Sequence, residues 1–433
     1  MQPKHVFFIG LNDFNKSKLE SIKNAERYVF HGILEPSEIN ETYDFPVSDM
    51  LKRCRQELAL WQERTGLRID AIGAYQDFPV STMLPLLCSE FDLRGPILEG
   101  MLRCEHKYWS RLVQKEVIPE HIPRFQAFDP FDEQAFERIE LDLPFWIKPI
   151  KSSGSLLGFR IESRVDFDEA TAQIREQVHL LAEPFGYILD QARLPKEVSA
   201  IGSFACLAES IIGGRQCTLE GYSFDGRVEI FGVVDSIRYE NGVSFFRYEY
   251  PSTLPDSIQD RMIQISKRII PHTGFDNSAF NIEYYWNREL DKIWLLEINT
   301  RVSQSHSDIF EKVDGSSNQQ VTVQVACGEQ PDFPHRRGEF PCAAKFFWRW
   351  FAGDAVVTRV PTAAEIKKVE QRFPGIVIQA QVREGMRLSE LLEQDSYSYD
   401  LCHLFIGGQD QKELLEIYLQ CQEMLPFACK AVS

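Results

Sequence analysis

Between residues 4 and 105 the chain alternates short apolar runs with helical stretches, and this alternation constrains the fold more than any other feature. HVFFIG, KLESIKNA, RYVFHGIL, a long stretch to Arg64, RIDAIGAY and STMLPLLCSEF follow one another in that order. Strands alternating with helices are the pattern of an open parallel α/β sheet with helices on its faces. The first turn, Gly10-Leu11-Asn12-Asp13, lacks the second and third glycines of a dinucleotide fingerprint. That argues against an NAD site even in a sheet of this general kind.

Such a sheet uses only part of the 433 residues. At roughly 100 to 200 residues per domain, two to four domains are expected. Hydrophobic residues make up 44% and charged residues 26% of the chain, enough to bury a sizeable core, and no window reaches the roughly 18 apolar residues of a membrane helix. The opening MQPKHVFFIGLNDF is too short in its apolar run for a secretory leader and reads as a first strand. Ten cysteines carry no CxxC pair and no metal-like spacing with His. They are expected as small buried hydrophobes in a reduced, cytoplasmic protein. A net charge of −17 argues against a nucleic-acid surface, but a small anionic ligand needs only a few lysines, helix N-termini or a bound cation.

Beyond residue 105 the pattern changes. Pro96 to Val117 has helical spacing, and VIPEHIPRF breaks it with two prolines. LPFWIKPI, the loop KSSGSLLG and FRIES then read as a hairpin. VDFDEATAQIREQVHLLAEP follows as a helix with Asp166 or Asp168 as its N-cap. ACLAESII, QCTLEGYSF and VEIFGVVDSI are strands, with Asp225-Gly226 the strongest turn signal in the chain. IQDRMIQISKRII is an amphipathic helix, and AFNIEYYW and KIWLLEIN are strands joined around Asn287-Arg288-Glu289. After Gly328 the chain becomes Pro-rich and then mixes strands and helices.

Chemistry concentrates in that last hairpin. Residues i and i+2 of a strand point the same way, so Glu297 and Asn299 can touch one ion, with Glu283 on the neighbouring strand and all three expected at core-facing positions. Carboxylate and amide oxygens without thiols suit a hard cation such as Mg²⁺, which completes its shell with waters and phosphates. Carboxylates among Ile282, Trp294, Leu295, Leu296 and Ile298 would be costly without such an ion; a Glu297–Arg301 salt bridge is the plainer alternative. Lys148 lies among Phe145, Trp146, Ile147 and Ile150, where an ammonium needs an anionic partner. The loop Lys151-Ser152-Ser153-Gly154-Ser155 offers free backbone N–H groups and reads as a phosphate-covering flap, although it is no Walker loop.

Taken together, these segments resemble the ATP-grasp superfamily over most of the chain. CEHKYW with VIPEHIPRF, PFWIKPIKSSGSLLG, LAESIIGGRQCTLEG, NIEYYW and LLEINTR are similar, in order, to the family's lysine helix, strand-borne lysine with flap, hinge segment and metal-binding strands. The resemblance implies an α/β and α+β multidomain ATP-grasp fold. Its parts would be a pre-ATP-grasp α/β domain at 1–105, an N-terminal ATP-grasp part with the lid hairpin at 106–205, a central domain with the metal site at 206–330 and a C-terminal α+β domain at 331–433. It also implies that Lys107, Lys148 and the flap residues Ser152, Ser153 and Gly154 bind nucleotide phosphates, and that Glu209 and the backbone near Ile211 meet adenine. Gln216 stands where the family usually has a ribose-binding Glu. Glu283, Glu297 and Asn299 would hold Mg²⁺, with Mn²⁺ as a substitute. Arg301 would stabilise the charged intermediate, and Lys345 in CAAKFF stands where related enzymes often carry an Arg near the substrate.

The implied activity is that of an ADP-forming carboxylate–amine ligase, in which an acyl phosphate made with ATP is attacked by an amine. EINTRVSQSHS also resembles biotin carboxylase, including His306, but Ser305 stands where that enzyme carries its base. Domain order and the C-terminal segment look more like the amino-acid ligase branch. The alternatives are an ATP-dependent carboxylase or purine-pathway-like ligase, and a nucleotide-binding regulatory protein without catalysis. Small-molecule acid and amine substrates and a homodimer are expected, with neither nucleic acid nor membrane as a partner. His306 is open to a substrate-orienting or a structural role, and Glu220 to a metal contact or a solvent-facing position. Phe346 to Phe351, FFWRWF, reads as core packing before pocket lining.

Overall fold

The computed structural model describes residues 2–40, 46–152, 156–391, 394–395 and 397–432. The chain forms two compact units, Met1–Phe231 with Pro255–Gln304 and Gln319–Asp332, and Gly232–Leu254 with Ser305–Asn318 and Phe333–Ser433.

In the first unit, β1 (Lys4–Ile9), β2 (Tyr28–Ile33) and β3 (Ala71–Gly73) form a parallel sheet in the order β2-β1-β3. Val6, Phe7, Phe8 and Ile9 are all buried, as befits a central strand covered on both faces. The expected alternation is therefore real. After β1 the turn is closed by Gly10 at φ 66, and the Asn12 side chain caps helix Asp13–Glu20 by accepting from Asn15 N.

A second, antiparallel sheet has the order β4-β7-β5-β6, from β4 (Phe125–Phe128), β5 (Phe145–Pro149), β6 (Phe159–Ile161) and β7 (Cys206–Ser210). Phe145, Ile147, Cys206 and Ala208 turn into a core with Phe167 and Ile174 of helix Arg164–Gln177. The alternate positions, Lys148 and Glu209 among them, therefore face the other way. The N-cap of that helix is Ser163, not Asp166 or Asp168: its hydroxyl accepts from Asp166 N, while the Asp166 carboxylate reaches back to Glu162 N. These two bonds satisfy two backbone donors, and the hydroxyl cap starts the helix a turn early.

Next come β8 (Arg215–Phe224), β9 (Arg227–Arg238), which begins in this unit and ends in the second, and β10 (Phe245–Tyr250) of the second unit. Asp225 and Gly226, both at positive φ (50° and 74°), make the β8–β9 turn. β11 (Ser278–Asn287) and β12 (Lys292–Asn299) complete an antiparallel set β12-β11-β8. Helix Asp256–Thr273 covers it with Ile258, Met262, Ile265 and Ile269, at helical spacing, and ends at Gly274 with φ 72.

In the second unit, β13 (Cys342–Trp350), β14 (Ala355–Arg359), β15 (Val377–Ala380), β16 (Tyr399–Gly408) and β17 (Ala428–Ala431) appear. β9, β10, β13, β16 and β15 pair antiparallel in that order, and β14 pairs with β17. Phe346, Leu404 and Tyr418 lie in its core, so the core-packing account holds for Phe346. All ten cysteines are free, eight of them buried. Among the described residues, no helix is long and apolar enough to cross a membrane.

Candidate active site

Strand register builds the acidic face. Glu283 stands directly opposite Glu297 on one side and Thr218 on the other; in the next row Asn281 stands between Asn299 and Glu220. Glu283, Glu297 and Asn299 are only part-buried and do not face the core as expected; the alternate positions, Leu219, Ile282 and Ile298, all buried, do. Like charges directly across a sheet repel, so the Glu283/Glu297 pair points to a cation. Its amide neighbours are arranged around it: Gln216 Nε2 donates to Glu283 Oε2 at 2.8 Å, and Asn299 Nδ2 donates to Asn281 Oδ1 at 2.9 Å and to Glu283 Oε1 at 3.4 Å. Among the described residues no three His, Cys, Asp or Glu side chains converge. Two carboxylates and an amide are the set that fits an ion retaining several waters, such as Mg²⁺.

A bulge in β12 falls next to Glu297, because Glu283 pairs with Glu297 while Tyr284 pairs with Leu295. Bulges often sit beside functional groups and re-aim a side chain. Here the carbonyls of Leu295 and Leu296 accept from the Arg111 guanidinium at 3.1 and 2.8 Å.

The second sheet and the helix Lys107–Val117 contribute cations. Lys148 Nζ lies 2.6 Å from Glu209 Oε2, and Arg111 Nε donates to Glu209 Oε1 at 2.5 Å. Glu209 is thus the anionic partner that Lys148 requires. Burial would raise its carboxyl, but Arg111 and Lys148 hold it down at about 2. Lys107 opens helix Lys107–Val117; its Nζ donates to Ser152 O at 2.5 Å and lies 4.0 Å from Glu297 Oε2. Burial pushes the Lys107 ammonium down to about 8; Lys148 and Lys151 push the same way, against Glu297 and Glu209. Ser153 and Gly154 lie outside the described residues. Ile211 is 39% exposed, in the short link between β7 and β8. That link ends at Gly214, φ 139, where a Cβ would lie 2.4 Å from the Trp286 carbonyl oxygen.

Arg301 pairs with Asp77 at 2.5 Å rather than with Glu297. Burial works against both charges and each offsets it for the other, so Arg301 titrates above its usual range and Asp77 below. Glu220 is buried, not solvent-facing, and its Oε1 accepts from Ser303 N at 3.0 Å. Asp77, Glu105 and Arg111 escaped the sequence reading. Two of them had a legible signal: Arg111 is one helical turn after Lys107, and Asp77 follows the carboxyl end of β3, where open α/β sheets place ligands.

Lys345 and His306 belong to the second unit. Lys345, 5% exposed on β13, donates to Ser305 Oγ at 2.9 Å and lies over the Phe347 and Phe405 rings. Burial, with Arg349 adding to it and Asp400 opposing, pushes its ammonium down to about 7. His306 is buried edge-on to Tyr248, with ring centroids 5.1 Å apart.

The family described as ATP-grasp domain matches residues 141–307. No curated protein matches the sequence. Solved structures do match in fold. An L-amino acid ligase from Bacillus licheniformis is 14% identical at a TM-score of 0.70, covering 100% of both chains. A carboxyaminoimidazole ribonucleotide synthase from Aspergillus clavatus, complexed with ATP, is 11% identical at 0.65, covering 98% of each. The biotin carboxylase domain dimer of the Hydrogenobacter thermophilus 2-oxoglutarate carboxylase, complexed with MgADP, ADP and bicarbonate, is 13% identical at 0.63, covering 100% of this chain and 92% of the other. Residues 141–307 are therefore an ATP-grasp domain, and the chain carries the ATP-grasp fold.

Proposed function

We propose that the protein is an ATP-dependent carboxylate–amine ligase that forms an amide through an acyl phosphate and releases ADP and phosphate. The observation that carries this reading is the cross-strand Glu283/Glu297 pair with Asn299, set beside the ammonium of Lys107. Bound Mg²⁺ would supply charge neutralisation and orientation for the ATP phosphates. Glu283, Glu297 and Asn299 would hold it. Lys107 and Lys148 bind phosphoryl oxygens, while Arg111 keeps Glu209 neutralised when Lys148 turns to a phosphate. Ser152, with Ser153 and Gly154 after it, covers the phosphates, and Glu209, Ile211 and Gln216 flank the base and ribose. Arg301, aimed by Asp77, stabilises negative charge as the substrate carboxylate takes up the phosphoryl group. Lys345 keeps the substrate-side role that the resemblance implies. The four-part division at 105, 205 and 330 and a homodimer belong to the same proposal.

Likeness in fold to an L-amino acid ligase supports this branch. A bicarbonate-activating carboxylase fits less well, because Ser305 offers a hydroxyl, already bonded to Lys345, in place of a base. A silent nucleotide-binding protein has no evident need for the complete Glu283, Glu297, Asn299 and Arg301 set. The test is incubation with ATP, Mg²⁺ and pooled amino acids, with and without bicarbonate, followed by mass spectrometry. ADP with a new mass equal to acid plus amine minus water is expected; ADP that depends on bicarbonate and needs no amine would overturn the ligase assignment.

A further inference from the structure

Glu105 ends helix Leu98–Glu105 and is 7% exposed. Both of its carboxylate oxygens are engaged: Oε1 accepts from the Thr300 hydroxyl and Oε2 from the Lys151 ammonium. A buried carboxylate is expensive to take out of water unless its partners are fixed and well aligned. These two partners come from different sheets. Lys151 follows β5, next to the Ser152 carbonyl that accepts from Lys107. Thr300 follows β12 and stands between Asn299 and Arg301.

The same elbow of chain grips β12 elsewhere. Arg111 holds the Leu295 and Leu296 carbonyls, and Lys107 approaches Glu297. Asn281 Nδ2, from β11, holds the Arg301 carbonyl at 3.0 Å. Glu105 therefore supplies the contact to the one residue between the candidate metal-binding amide and the candidate charge-stabilising guanidinium.

We propose that Glu105 and Thr300 are positioning residues for the nucleotide site, fixing Asn299 and Arg301 relative to the lysines at the end of β5. Neither touches the reacting atoms. The inference rests on the nucleotide-site reading of the preceding subsection. Groups that orient metal-binding side chains typically govern affinity by about 10- to 100-fold when lost.

The full chain with Thr300→Val, Thr300→Ser and Glu105→Gln is titrated with ATP in excess Mg²⁺ and again in EDTA by calorimetry, with melting temperatures recorded alongside. Thr300→Val is expected to weaken ATP binding in Mg²⁺ by about 10-fold or more while changing binding in EDTA little, and Thr300→Ser to restore it to within about 3-fold of wild type. The Val/Ser contrast keeps the test open should Glu105→Gln fail to fold. Thr300→Val binding as tightly as wild type in Mg²⁺, or Thr300→Ser failing to rescue, would overturn the positioning role and leave the ligase proposal standing. Wild-type protein that binds no ATP would overturn both.

Discussion

Replacing Arg111 with Met tests the electrostatic economy of the site. Arg111 is 3% exposed and pairs with Glu209, whose side chain is 5% exposed, so solvent screening is slight. Holding the Glu209 carboxyl at about 2, from a usual value of 4.5, corresponds to about 3 kcal/mol of stability at neutral pH. Losing one partner of a buried pair costs about 3–5 kcal/mol, because it strands the other charge. Arg111→Met should therefore destabilise the protein by about that much in urea titrations at pH 7. Because the folded carboxyl titrates below its unfolded value, this contribution is complete above about pH 5 and fades as pH falls toward 2. The penalty of the variant should shrink over that range. The double variant Arg111→Met, Glu209→Gln keeps one positive charge on Lys148 with an amide to accept from it. It should be less destabilised than the sum of the single variants by about 3 kcal/mol. Additivity within about 0.5 kcal/mol, or a single-variant penalty below about 1 kcal/mol, would refute the coupling.

Three further outcomes are expected. Glu297→Ala or Lys148→Ala should reduce ADP formation by at least about 100-fold with an unchanged circular dichroism spectrum; retained turnover would remove them from the site. Lys345 is held at about 7 in the folded chain against 10.5 ordinarily, so the unfolded chain binds more protons between those values and wild-type stability should rise with pH there. In Lys345→Met that rise should flatten, as read from urea midpoints at pH 7 and 9. Gly214→Ala should cost about 2 kcal/mol or more in the same assay, because its φ of 139° and the Trp286 carbonyl both exclude a Cβ.

Much of the scaffold was legible because it rests on local pattern. The parallel sheet, the Asp225-Gly226 turn and helix Asp256–Thr273 follow from periodicity and turn chemistry. The two-residue period of KIWLLEIN put Glu297 and Asn299 on one face; that Glu283 stands directly opposite Glu297 emerges only from the register. What escaped was the set of partners supplied across long stretches of chain. Arg111 meets Glu209, Glu105 meets Thr300 and Asp77 meets Arg301 over separations of 98, 195 and 224 residues. No period or spacing encodes such pairings; they exist only once the sheets are stacked. The Ser163 cap was missed for a local reason, since acidic residues in the first turn resemble caps when the hydroxyl before them is overlooked.

The most direct test of the central claim is calorimetric titration of ATP into the wild-type protein and a Glu283→Gln, Glu297→Gln variant, each with Mg²⁺ and with EDTA. If the paired carboxylates of β11 and β12 hold the metal, wild-type binding will be strengthened by Mg²⁺ and the variant will lose that enhancement while staying folded. Binding that is the same with Mg²⁺ and EDTA in the wild type, or Mg²⁺ enhancement undiminished in the variant, would contradict it.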